Sequence, residues 1–90
     1  MFTGIIEALG EVIKIEEKNG NLDIFIKSSI SNSLKIGQSI AHNGICLTVV
    51  TFSDSYHQVT AVEESLIKST LNNLKVGDII NLERSLKANS

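Results

Sequence analysis

The side chains able to do chemistry are few, and most of them crowd into residues 39–50, SIAHNGICLTVV. That stretch holds the chain's one cysteine, Cys46, with Ser39 and Thr48 nearby. A thiol attacks as its thiolate, which needs a cation or a helix N-terminus beside it. No Lys or Arg lies within three residues of Cys46, so the residue types alone predict a small buried hydrophobe. The hydroxyls of Ser39 and Thr48 suit either a ligand edge or an ordinary cross-strand pair. Glu63 and Glu64 can accept hydrogen bonds from an imide or a hydroxyl; equally, they suit the first turn of a helix capped by Ser65. His42 and His57, the only histidines, lack the clustered carboxylates of a metal site and read as partly exposed polar residues. Thr3-Gly4-Ile5 allows a close backbone approach or simply starts a strand. No phosphate-binding glycine loop, GxSxG or HExxH occurs.

The elements that must position these groups are strands. Asn43-Gly44 is the strongest short-range hairpin signal, because a type I′ turn needs positive φ at both central residues. It sets His42 opposite Ile45, Ala41 opposite Cys46, Ile40 opposite Leu47 and Ser39 opposite Thr48. Side chains alternate along a strand, so Ser39, Ala41, Cys46 and Thr48 share one small, mildly polar face suited to a flat ligand. Ile40, His42, Ile45 and Leu47 share the other. Strand periodicity also marks residues 5–17, 22–27, 56–62 and 79–84, with turns at 18–21 and 53–55 and a polar crossover over 28–33. Residues 65–74 carry leucines and an isoleucine near helical spacing. About six short strands and one short helix predict a small antiparallel barrel or sandwich. Leu34-Lys35-Ile36-Gly37 recurs as Leu74-Lys75-Val76-Gly77, each copy leading into a strand, as in a pseudo-symmetric barrel.

Composition narrows the function classes. Ninety residues with 42% hydrophobic and 20% charged content and a net charge of −2 describe one small globular domain. A mildly acidic chain with 4% aromatics lacks the basic footprint and stacking platform of a nucleic-acid binder. A single cysteine rules out an internal disulfide and fits a reducing compartment. The N-terminus is neither a signal peptide nor a membrane span by pattern, so a cytoplasmic location is expected.

The segments MFTGIIE, SIAHNGICLTV, Glu64-Ser65-Leu66 with Thr70-Leu71, and VGDIINLERSL together resemble the N-terminal barrel of riboflavin synthase, from Met1 to about Leu86. The resemblance implies an all-β, six-stranded antiparallel Greek-key barrel over residues 1–86 with one short helix, and a frayed tail over 87–90. It implies a dismutation of two 6,7-dimethyl-8-ribityllumazine molecules to riboflavin and 5-amino-6-(ribitylamino)uracil by transfer of a four-carbon unit, without metal or organic cofactor. Carried over by position, the ligand contacts are Gly4, Ile5, Ile6, Ser39, Ala41, Cys46, Leu47, Thr48, Thr60, Ala61, Val62, Glu63, Glu64 and Ser65. Glu64 would bind the ribityl chain or the ring edge, and Cys46 aligns with a cysteine considered a helper of nucleophilic addition. The family's full protein pairs two such barrels, adds a C-terminal helix and works as a trimer, with the active site where barrels of two subunits meet.

This sequence ends before the Gly-Gly-His segment and the second barrel, which carries the family's principal catalytic serine and aspartate. The expectation is therefore an isolated domain that binds lumazine or riboflavin, is weakly active or inactive alone, and self-associates, as a homodimer for the fragment and a homotrimer for the full protein. No nucleic-acid or membrane partner is expected. The alternative is a lumazine- or flavin-binding module without catalysis.

Overall fold

Two Asn-Gly pairs fix two hairpins of the computed structural model, which describes residues 4–62 and 73–84. Both central residues have positive φ in each turn, 53° and 85° at Asn19-Gly20 and 50° and 85° at Asn43-Gly44, as type I′ geometry requires. The described strands are β1 (Ala8–Lys18), β2 (Asn21–Ser28), β3 (Ser39–His42), β4 (Ile45–Phe52), β5 (Tyr56–Ala61) and β6 (Ile79–Arg84), with a 3-10 turn at Ser31–Ser33 in the crossover. They close into an antiparallel barrel in the order β1-β2-β5-β4-β3-β6. Strands β3, β4 and β5 follow one another as neighbours and β6 returns beside β3, the Greek-key order. The predicted barrel is thus the observed one. Its predicted helix lies outside the described residues except for Asn73 and Leu74, and Leu74 packs against the core.

The two LKxG copies do the same job twice. Each makes a tight turn, Gln38 N–H to Lys35 O and Asp78 N–H to Lys75 O, both 3.0 Å, with glycine at positive φ (Gly37 89°, Gly77 100°). Each then clasps a distant strand. Gly37 N–H bonds Val49 O while Val49 N–H bonds Gln38 O; Gly77 N–H bonds Val12 O while Val12 N–H bonds Asp78 O. Val49 and Val12 stand where β4 and β1 each shift register. The sequence repeat is therefore a structural one: each turn pins the strand beside the one it leads into, β4 beside β3 and β1 beside β6.

Alternation places Val12, Ile24, Ile26, Ile40, Leu47, Val49, Val59, Ile80 and Leu82 in the lumen, all buried. The histidines correct the sequence-based reading. Both are buried, at 1% exposure for His42 and 0% for His57, because they occupy inward positions of β3 and β5. They join a polar chain across the lumen whose protons can be ordered. The Ile40 carbonyl only accepts, so His42 Nδ1–H donates to it at 3.0 Å, leaving His42 Nε2 bare. His57 Nε2–H then donates to His42 Nε2 at 3.0 Å, and Ser31 Oγ–H donates to His57 Nδ1 at 2.9 Å. Ser28 completes the chain by donating to Ser31 at 2.9 Å. Among the described residues every buried side-chain N and O atom has a partner, with both imidazoles neutral. Burial pushes both pKa values down, and at His42 the neighbouring His57 adds to the effect.

Candidate ligand-binding face

The β3–β4 pairing has the register that the Asn-Gly turn predicts: Ser39 with Thr48, Ile40 with Leu47, Ala41 with Cys46, His42 with Ile45. Because Ile40, Leu47 and Val49 fill the lumen, Ser39, Ala41, Cys46, Thr48 and Val50 fall on the outward side by alternation, although Ala41 is itself covered, at 5% exposure. Cys46 is exposed, which overturns the small buried hydrophobe expected from its residue type. Its strand is strongly β-forming, but it stands at an outward position of that strand.

Strand β5 extends the face. Thr60 and, just past the strand, Val62 alternate outward, Thr60 partly buried and Val62 about half exposed, whereas Ala61 points into the core. Leu47 is likewise buried. These two sequence-predicted contacts can therefore offer a ligand only main-chain atoms. Thr60 pairs with Asp23 across β2 and β5, and its hydroxyl donates to Asp23 Oδ1 at 2.7 Å. That bond uses the hydroxyl proton and leaves the Thr60 oxygen free to accept from a ligand. Lys18 approaches the other Asp23 oxygen at 3.7 Å. Sequence reasoning missed Asp23. Its outward parity between Leu22 and Ile24 was legible, but its partner lies 37 residues away and depends on the β2–β5 pairing.

The N-terminal segment is tied beside this face. Glu7 N–H bonds Leu82 O at 2.9 Å, and Gly4 N–H bonds Glu83 Oε1 at 3.1 Å. The Glu7 carboxylate accepts from the Arg84 backbone N–H at 2.9 Å and from its guanidinium Nε at 3.0 Å, while the same guanidinium donates to Ser33 at 3.1 Å. The hydrogen bond from the Arg84 side chain, helped by its backbone N–H and its charge, holds the Glu7 carboxyl below its usual range, and the same side-chain bond raises Arg84 in return. This clamp brings Gly4 and Ile6 together with Ala41 in a cleft of 290 Å³ completed by Asn43, Gly44, Asn81, Leu82 and Glu83. Ile5 and Ile6 remain exposed. Glu63, Glu64 and Ser65 lie outside the described residues.

The arrangement is chemically specific in a limited way. Hydroxyls at Ser39, Thr48 and Thr60, a thiol at Cys46 and apolar surface at Val50 and Val62 suit a flat, uncharged ring with a hydrogen-bonding edge. Among the described residues, no three His, Cys, Asp or Glu side chains are grouped to hold a metal ion, and no helix is long and apolar enough to cross a membrane.

With this geometry in hand, comparison with known proteins is informative. The sequence model of the family described as lumazine binding domain matches residues 3–85. The chain is 40% identical to riboflavin synthase of Bacillus amyloliquefaciens over 90 residues, covering 99% of this chain and 42% of that protein. It is 43% identical to riboflavin synthase of Buchnera aphidicola subsp. Baizongia pistaciae (strain Bp) over 89 residues, 97% of this chain and 42% of that protein. The chain thus spans less than half the length of these relatives. Among solved structures, LumP complexed with 6,7-dimethyl-8-(1'-D-ribityl) lumazine superposes with a TM-score of 0.88 at 28% identity, covering 100% of this chain and 51% of that one. LumP complexed with riboflavin gives 0.85 at 29% identity, covering 93% of this chain and 46% of that one.

Proposed function

Because the chain belongs to the lumazine-binding domain family, we propose that its outer β3–β4–β5 face holds one 6,7-dimethyl-8-ribityllumazine or riboflavin ring. The observation that carries this reading is the hairpin register, which turns Ser39, Cys46 and Thr48 away from the core. Thr48 and Ser39 bond the polar edge of the ring, the Thr60 oxygen accepts from a ring or ribityl N–H or O–H, and Val50 and Val62 take its apolar flank. Gly4, Ile5 and Ile6, held by the Glu7–Arg84 clamp, close one side. Glu63, Glu64 and Ser65 follow Val62 directly in sequence, and Glu64 accepts from the ribityl hydroxyls.

In a riboflavin synthase of which this is one half, such a face presents one lumazine to a second lumazine on another barrel. One ring then gives a four-carbon unit to the other. Holding both rings face to face converts a bimolecular encounter into a positioned one, which is where most of the acceleration arises. Cys46 lines the pocket and is the one nucleophilic side chain on this face. The 90 residues hold one barrel and so no second barrel's lumazine to set against this face, and they bind the ring and turn it over weakly or not at all. Exposed Ile5, Ile6, Val50 and Val62 favour self-association, as a homodimer of this chain and a homotrimer of the longer protein; sedimentation of each reads this out. The protein works in the cytoplasm on these small molecules, with neither nucleic acid nor membrane as partner. A fluorescence titration tests the binding claim: riboflavin emission is quenched at micromolar protein, and no quenching would end it. The second reading, a binding module without catalysis, is favoured by the likeness to LumP in complex with its ligands. Lumazine turnover by the longer protein separates the two.

A further inference from the structure

The strand registers obey a two-fold relation that goes beyond the LKxG repeat. Superimposing one clasp on the other maps Gly37 onto Gly77 and Val49 onto Val12. The pairings at the heart of each ladder then follow. Ser39–Thr48 maps onto Ile79–Glu11, and Ala41–Cys46 onto Asn81–Leu9. Across the shifted strands, Val49–Val59 maps onto Val12–Ile26, and Thr51–Gln58 onto Lys14–Phe25. The β2–β5 pairing maps onto itself, Ile24–Val59 exchanging with His57–Ile26. The β3–β6 pair His42–Leu82 does the same. Six residues of the proposed ring face have counterparts as follows: Ser39, Cys46, Thr48, Thr60, Ala61 and Val62 correspond to Ile79, Leu9, Glu11, Lys27, Ser28 and Ser29.

Those six counterparts all line one cleft of 520 Å³, together with Gly10, Asp54 and Ser55. We propose that this cleft, on the outer face of β6–β1–β2, is a second site for an uncharged planar heterocycle, the two-fold mate of the first. The proposal rests on the reading of the β3–β4–β5 face as the ring site. The side chains have diverged while the backbone has not. Leu9 and Ile79, 60% and 59% exposed, offer an apolar bed for the ring face where the first site has Cys46 and Ser39. Glu11 and Lys27, register partners across β1 and β2, place an acceptor beside a donor, the pattern that matches a ring carbonyl next to a ring N–H. Glu11 and Asp54 outnumber Lys27, so the cleft disfavours an anionic substituent. The second site therefore takes riboflavin in preference to its phosphorylated form.

Equilibrium dialysis of the 90-residue chain against riboflavin tests this, with circular dichroism as the folding control for each variant. The expected result is saturation at two equivalents per chain. Leu9→Glu, an exposed position, removes the weaker equivalent and leaves the stronger within twofold; Lys27→Ala weakens the weaker one by about tenfold. Thr48→Arg removes the stronger equivalent and spares the weaker. Flavin mononucleotide occupies one equivalent only. A single equivalent that is lost with Thr48→Arg and indifferent to Leu9→Glu overturns the second site and leaves the proposed function standing. A single equivalent lost with Leu9→Glu and indifferent to Thr48→Arg upholds the cleft and overturns the first face. No bound riboflavin overturns both.

Discussion

The two halves of this barrel share one backbone plan and have opposite interiors and surfaces. In the half that bears the proposed ring face, the lumen carries His42 and His57 and the outer face carries Ser39, Cys46 and Thr48. Under the two-fold mapping of the strand registers, the same lumen positions in the other half hold Leu82 and Ile24, and the same outer positions hold Ile79, Leu9 and Glu11. The position of Leu47 corresponds to Gly10. A Cβ built on Gly10 would meet Ile26 Cγ2 at 2.4 Å and Leu82 Cδ1 at 2.9 Å, so the glycine makes room for the leucine that stands where the other half has His42. The registers depend on backbone hydrogen bonds at the two clasps, which constrain side chains little. That lets the two halves carry different side chains at the same strand positions.

The largest break in this comparison is Gly10→Val. It drives a branched side chain into a filled lumen, and the expected loss is about 3 kcal/mol, measured by urea unfolding. Leu47→Val at the corresponding position only shortens a side chain and costs about 1 kcal/mol. Next comes the histidine pair. His57→Ile leaves His42 Nε2 buried without a donor and costs about 2–3 kcal/mol. The double change His42→Leu with His57→Ile installs the residues of the other half and recovers part of that loss, a coupling that a double-mutant cycle resolves.

The same pair sets an acid limit. Both folded-state pKa values are lowered, to about 3 for His42 and about 4 for His57, against 6.5 in the unfolded chain. The unfolded state therefore takes up protons first. The stabilising difference is complete above pH 6.5 and is lost as pH falls, by about 1.4 kcal/mol per pH unit for each histidine between those limits. Denaturation midpoints measured from pH 7 to pH 4.5 should fall steeply in the wild type and much less in the double variant.

A smaller and sharper pair is Gly37→Ala and Gly77→Ala. Both glycines have positive φ and open space around the missing Cβ, so each change costs about 1 kcal/mol from backbone strain alone. The two should be equal in urea. They should differ in riboflavin affinity at the β3–β4–β5 face, because only the Gly37 turn clasps Val49 on β4. The smallest effect is Cys46→Ser, an exposed and nearly isosteric change. It should leave stability within about 0.5 kcal/mol and shift the fluorescence titration only slightly, since the thiol lines the pocket without anchoring the ring.

How legible this was in the sequence depends on the range of the interaction. The hairpin register followed from Asn43-Gly44 alone, because a two-residue turn fixes every later pair, and the LKxG repeat announced the symmetry. The histidines were misread, because their burial needs Ser31 as a partner for His57, 26 residues away, with Ser28 bonded to Ser31 behind it. Cys46 was misread from residue type although its parity pointed outward. The Asp23–Thr60 bond and the Glu7–Arg84 clamp, 77 residues apart, exist only after the barrel closes, and nothing local signals either.

The central claim, that the outward face of β3–β4–β5 is the principal ring site, is tested most directly by following backbone amide resonances of the labelled chain as riboflavin is added. The amides of Ser39, Cys46, Thr48, Thr60 and Val62 should shift first and together, at substoichiometric ligand. If those amides stay still while others move, or if none moves at millimolar riboflavin, the claim is contradicted.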